Sequence, residues 1–209
     1  MKEIREKLEE LIKLVEEKSQ KCSCAGAPKK PTLYELASLK PGDRFDTEIG
    51  KMVVLGHDEA SGTTKVIQDD FYKEDVVFDS DSSDYTKSDL KDLFDGKITA
   101  AYSKCFGDAL VEHEVHLLSV DMQDYGSFKC KVRPITFDEV REYNNLLVKK
   151  ELEDWWWTCT PWSTADRGGK YPVAVVSPSG NLGDGSCNIY FGVRPVCILK
   201  SNIVVSKGE

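Results

Sequence analysis

Three histidines, seven cysteines and a run of aspartates are the residues through which this chain could do chemistry. His113-Glu-Val-His116 invites comparison with the His-Glu-x-x-His zinc helix, but it is one residue short. Its context alternates like a strand, and there residues three apart point to opposite faces, so the two imidazoles do not converge. Cys22-x-Cys24 would be half of a zinc site, yet no second pair follows at the required spacing. Asp79-Ser-Asp-Ser-Ser-Asp84 suggests calcium. An EF-hand loop would need glycine at its sixth position and glutamate at its twelfth, where this chain has Asp84 and Leu90. A solvated acidic loop is the plainer reading. His57 stands alone in a polar stretch, and no local signature joins a cysteine to a histidine as a nucleophile. Neither a phosphate-cradling glycine loop nor a nucleophile elbow is present. The expectation is a protein that is not an enzyme, with no metal and no cofactor.

Charge narrows the partners. The chain of 209 residues carries 28 Lys+Arg against 36 Asp+Glu, a net −8. Ten acids and three lysines fall between Asp69 and Asp95, a local −7. A basic footprint for a phosphate backbone is missing, so direct nucleic-acid binding is disfavoured. No apolar run reaches the roughly 20 residues of a membrane span, and the charged N-terminus is unlike a secretory signal. Seven cysteines without such a signal read as reduced thiols in the cytoplasm of a bacterial cell.

The elements that would position these groups read as follows. Ile4, Leu8, Leu11 and Val15 form one apolar stripe on a helix over residues 1–21, which would dock on its own domain or drive self-association into a homo-oligomer. Residues 22–31 are a linker, and one domain fills 32–209. A capping-box pattern, Thr32 with Glu35, opens a short helical turn, and Lys40-Pro-Gly-Asp43 is a turn. Phe45–Leu55 and Thr63–Gln68 form a hairpin across a polar stretch. Ser88–Cys105 reads as a helix with Leu90, Leu93, Phe94, Ile98 and Ala101 on one face, and Val111–Val120 as a strand. Thr136 and Glu139 open another helix, with Val140, Tyr143, Leu146 and Leu147 inward. The end of the chain reads as four short strands: Trp155–Cys159, Pro172–Ser177, Ile189–Val193 and Val196–Leu199. The fold class expected is α+β.

Two blocks carry a resemblance: Asp154-Trp-Trp-Trp-Thr-Cys-Thr-Pro161 and Gly192-Val-Arg-Pro-Val-Cys-Ile-Leu199, with Val173-Ala-Val-Val-Ser-Pro-Ser-Gly-Asn-Leu182 between them. With Tyr85-Thr-Lys-Ser-Asp-Leu90 and Val115-His-Leu-Leu-Ser-Val-Asp121, they resemble an uncharacterised domain family of prophages and mobile elements in gut Clostridia. Thr158-Cys159 stands where that family has Leu-Arg. The family is similar to C-type-lectin-like proteins, among them formylglycine-generating-enzyme relatives and targets of diversity-generating retroelements. The resemblance implies a C-type-lectin-like domain whose C-terminal loops meet a partner.

The residues agree with a scaffold. Trp155 and Trp157 would share one face of a strand and Trp156 the other, with at least two of them in the core. Arg194 reads as a structural guanidinium and Pro195 as a strand end. The binding candidates are Trp162, Arg167 and Lys170 in one loop, and Asp184, Ser186, Asn188 and Tyr190 in the next, residue types that suit an adaptable binding surface. Their partner would be a host or defence protein, or a glycan. The alternative is an inhibitor of a bacterial defence system, anti-CRISPR-like, that offers Asp79, Asp81 and Asp84 as an acidic contact surface. A virion receptor-binding protein ranks third, since residues 1–21 make a short stem.

Overall fold

Alternation and tight turns shape the first half of the domain into meandering strands. The computed structural model describes residues 32–207. The expected helix at 1–21 with Ile4, Leu8, Leu11 and Val15, the linker at 22–31 and Cys22-x-Cys24 all lie outside the described residues. Strands β2 (Arg44–Thr47), β3 (Gly50–Asp58) and β4 (Thr63–Gln68) pair antiparallel in sequence order. The expected hairpin is therefore two. Asp43 closes the Lys40 turn by accepting from the Lys40 amide at 2.9 Å, with Gly42 at φ 91°. The Thr32–Glu35 capping box is overturned: those residues form strand β1, paired with the C-terminal strand β15 (Val204–Lys207). A partner far along the chain outcompeted the local cap.

The helix expected over 88–105 exists in pieces. Ser88 caps α1 (Asp89–Leu93), a π-type turn spans Phe94–Ile98, and α2 follows (Thr99–Phe106). The buried side chains are Leu90, Phe94, Ile98 and Tyr102, four residues apart each time. In a regular helix, steps of four would drift about 40° per step off the core-facing line. The wider π turn takes up that drift and keeps the stripe on one face. Leu93 and Ala101 sit only half-buried.

Short strands follow: β5 (Lys73–Val77) precedes α1, and β6 (Leu110–Val111), β7 (His113–Leu118), β8 (Asp124–Cys130) and β9 (Val132–Arg133) come after α2. Helix α3 (Phe137–Leu147) has the expected capping box, with Thr136 and Glu139 bonded reciprocally. It buries Val140 and Leu147 fully, and Tyr143 and Leu146 partly. The remaining strands are β10 (Trp156–Pro161), β11 (Pro172–Val176), β12 (Leu182–Ser186), β13 (Tyr190–Val193) and β14 (Val196–Lys200).

The α+β C-type-lectin-like expectation does not hold. The described residues are mostly β, with fifteen strands in sheets of eight, five and two, and α3 is the one helix of 11 residues. Strands such as β5, β8 and β12 are rich in glycine and charge, so they give no alternating apolar signal and were invisible to periodicity.

The eight-stranded sheet runs β1-β15-β2-β3-β4-β14-β6, with β9 beside β14, and the five-stranded sheet runs β12-β11-β10-β13-β5. The tryptophans divide as the strand period dictates. Trp157 sits in the larger apolar cluster against Phe78 and Phe191, with Trp155 packed partly against the same cluster. Trp156 faces the smaller cluster with Val53, Ile67, Val140 and Leu147. Gly192-Val-Arg-Pro195 is the corner where the chain leaves one sheet for the other. A Cβ on Gly192 would lie 2.6 Å from the Phe71 ring, so only glycine fits there. Arg194 is buried, donates to the Gln68 and Leu147 carbonyls, and lies 4.9 Å over the Trp156 ring. Its role is structural, as expected.

Candidate functional site

The main chain around Cys187 ties three polar segments into one platform. The Cys187 amide donates to the Tyr171 carbonyl at 2.8 Å, and its own carbonyl accepts from the amides of Phe78 and Asp79. The Ser83 amide donates to the Lys170 carbonyl, and its hydroxyl donates to the Gly169 carbonyl at 2.9 Å. A Cβ on Gly169 would meet the Ser163 main chain at 2.6 Å, so glycine permits this close crossing. The acidic run 79–84 thus meets the end of the loop 162–170 and Cys187 of the loop 183–190, parts of what the sequence offers as rival surfaces.

Three large apolar side chains stand out from this platform: Tyr171 is 43% exposed, Ile189 40% and Tyr190 62%. Lys170 lies 5.0 Å over the Tyr171 ring and pairs with Asp81 at 2.7 Å. Asn188 is exposed beside them and accepts from the Ser186 hydroxyl at 2.8 Å. Of the seven binding candidates, Lys170, Ser186, Asn188 and Tyr190 therefore lie within three residues along the chain of the Cys187–Tyr171 crossing. Trp162 and Arg167 lie toward the β7–β8 hairpin: Trp162 is half-buried, and Arg167 reaches Asp121 at 3.3 Å. Asp184 and Ser186 depart from the loop expectation, because residues 182–186 are a strand paired with β11, and Tyr190 is the first residue of β13. Tyr171 and Ile189 are absent from the sequence-based candidates: Tyr171 follows a polar run and Ile189 reads as the start of a strand.

The acidic candidates hold local structure together. Asp79 accepts from the amides of Asp81, Ser82 and Asp89. Asp84 caps the turn after it through the Thr86 amide and hydroxyl, and pairs with Lys87. Hydrogen bonding and charge from Lys170 pull the Asp81 carboxyl below its usual range. Asp69, counted in the same acidic segment, is buried and holds Arg44 and Lys149.

A cysteine and a histidine do meet, with Cys130 Sγ 3.6 Å from His113 Nε2. Burial pushes the thiol up to about 11 and the imidazole down to about 4, so the pair is neutral at pH 7. A nucleophilic dyad needs the opposite polarisation. Arg133 also donates to His113 Nε2 at 3.3 Å and holds Glu139 in a bidentate pair, so the cluster is a polar core. His116 points away from it and pairs with Asp124 at 3.3 Å. Among the described residues, no three His, Cys, Asp or Glu side chains gather as a metal site. Clefts of about 260, 320 and 380 Å³ lie elsewhere, beside Tyr143, Phe71 and Phe106 respectively.

The described residues thus form a mostly β domain with a braced, partly apolar corner. No protein family, curated protein or solved structure matches it. No helix among the described residues is long and apolar enough to cross a membrane.

Proposed function

We propose that this chain is a non-enzymatic binding protein that recognises a protein partner through the corner formed by Tyr171, Ile189 and Tyr190, with Lys170 and Asn188 at its rim. The observation that carries the reading is the exposure of those three side chains on a platform pinned by the Cys187 main chain. An aromatic and aliphatic centre with a polar rim is the composition of a protein interface, and rigid support lowers the ordering cost of binding. We place its action in the bacterial cytoplasm, as the product of a phage or mobile element. The family resemblance supports that origin, and the free thiols of Cys105, Cys130, Cys159, Cys187 and Cys197 support that compartment. Inhibition of a defence system through Asp79, Asp81 and Asp84 stands second, because each of those side chains already serves a local contact.

The test is capture from a clostridial lysate at low and high salt, with the wild type and an Ile189→Ser/Tyr190→Ala variant. Tyr190 is mostly exposed and Ile189 is a little under half exposed, so the stability cost should stay at about 1–2 kcal/mol and the variant should remain folded. A partner retained in high salt by the wild type and lost by the variant supports the corner. A partner that both chains retain, and that elutes as salt rises, would favour the acidic surface instead.

A further inference from the structure

The five-stranded sheet ends on β12, and the hydrogen-bond phase of that strand determines what its free side presents. The β11–β12 hairpin closes with the Ser177 amide on the Asn181 carbonyl, the Gly180 amide on the Ser177 carbonyl, and Gly180 at φ 84°. Counting outward from that bonded pair, Val175 with Gly183 and Val173 with Gly185 exchange main-chain bonds. Leu182, Asp184 and Ser186 stand opposite Val176, Ala174 and Pro172 in the unbonded pairs. Their amides and carbonyls point away from the sheet. Among the described residues no strand lies on that side of β12, and the Ser186 carbonyl alone is engaged, by the Ile189 amide.

The side chains along this edge have a pattern. Gly183 and Gly185 carry none, and aromatic rings cover them from one face: Trp155 is 3.0 Å from the Cβ position of Gly183, and Phe191 is 2.6 Å from that of Gly185. On the other face Leu182 is 37% exposed and Asp184 is exposed. A second copy pairing antiparallel about Asp184 would set carboxylate against carboxylate, an arrangement that destabilises a strand pair. A basic side chain at that position would be attracted instead.

We propose that β12 is a docking edge for an extended peptide that adds as a sixth strand, with a lysine or arginine opposite Asp184. Apolar residues on either side of that cation would lie beside Trp155 and Phe191. Main-chain bonds to Leu182 and Asp184 give such a complex its affinity, and the alternating contacts give its specificity. The proposal rests on the binding reading above and deepens it, since β12 runs directly into the Cys187 corner.

The probe is a labelled, end-capped peptide with the central sequence Thr-Val-Lys-Val-Ile, titrated into the full chain and read by fluorescence anisotropy. A matched peptide carries Glu in place of Lys. Asp184→Pro removes one outward amide that the β11 pairing does not use, so the sheet tolerates it while the docking edge is broken. Asp184→Lys reverses the charge and leaves the main chain intact. The expected result is binding of the Lys peptide by the wild type, weakened at least about tenfold by either variant, with the Glu peptide preferred by Asp184→Lys. Equal binding by wild type and Asp184→Pro would overturn the proposal. So would a wild-type dimer that Asp184→Pro dissociates, or no binding of the Lys peptide up to about 1 mM. Ile189 Cδ1 itself lies 3.5 Å from the Cβ position of Gly185, so a Tyr190→Ala variant, which leaves Ile189 in place, separates the two ideas. If it loses its lysate partner but still binds the peptide, the corner and the edge act independently. If peptide binding fails while partner capture depends on the corner, only the edge proposal falls.

Discussion

Replacing Glu139 by glutamine should cost more stability than removing the arginine that it pairs with. Arg133 is 3% exposed and gives both terminal nitrogens to the Glu139 carboxylate at 2.7 Å. Lys65 binds the same carboxylate at 2.6 Å, and the Thr136 amide donates to it at 3.0 Å as half of the capping box. Glu139→Gln keeps the shape and removes the charge, which strands a buried guanidinium. Breaking a buried pair in that way costs about 3–5 kcal/mol. Arg133→Met leaves Glu139 still neutralised by Lys65, and its cost should be about half as large. Urea unfolding of both variants near neutral pH, with unchanged m, reads the difference.

The same pair carries a pH signature. Burial alone would raise the Glu139 pKa, but Arg133 and Lys65 overcome it and hold the carboxyl well below its ordinary 4.5. A depressed carboxylate contributes stability that is present above the unfolded pKa and lost as pH falls toward the folded one. The gap between wild type and Glu139→Gln should therefore narrow as pH drops from about 6 to about 3. A cost below about 1 kcal/mol, or a gap that does not change with pH, would refute the reasoning.

The tryptophan pair offers a second check. Trp157 Nε1 donates to the Val76 carbonyl at 2.7 Å, whereas Trp156 Nε1 is buried and finds no acceptor among the described residues. Trp157→Phe should cost at least about 1 kcal/mol more than Trp156→Phe in chemical denaturation. Arg194→Lys should lower stability by about 2–3 kcal/mol, because an ammonium cannot reach both the Gln68 and Leu147 carbonyls as the planar guanidinium does. An unchanged melting temperature would contradict that. Burial and the nearby Arg133 charge depress His113 from 6.5 to about 4. The unfolded chain then takes the proton first, so stability should fall between those two pH values. The loss is about 2 kcal/mol after a discount for partial exposure, and His113→Gln should remove that slope.

What the sequence by itself determined was local. The Thr136 cap, the Lys40 turn and the opposed faces of the three tryptophans all follow from residues within a few positions of one another, and each stands in the structure. The structural nature of Arg194 is also legible from its place between Val193 and Pro195 in a strand-rich stretch, and its burial agrees. Tertiary pairing decided the rest. Thr32–Glu35 is a strand because its partner lies at the other end of the chain, and β12 is a strand because β11 supplies the bonds and Trp155 and Phe191 the packing that its glycines lack. The binding corner was only half visible for the same reason. Lys170 and Asn188 are legible as loop residues, but their union with Tyr171, Ile189 and Tyr190 depends on one buried cysteine whose main chain meets both Tyr171 and the far more distant Phe78 and Asp79. Hydrogen bonds between distant segments leave no periodic trace in a sequence, so only the folded chain could bring those side chains to one surface.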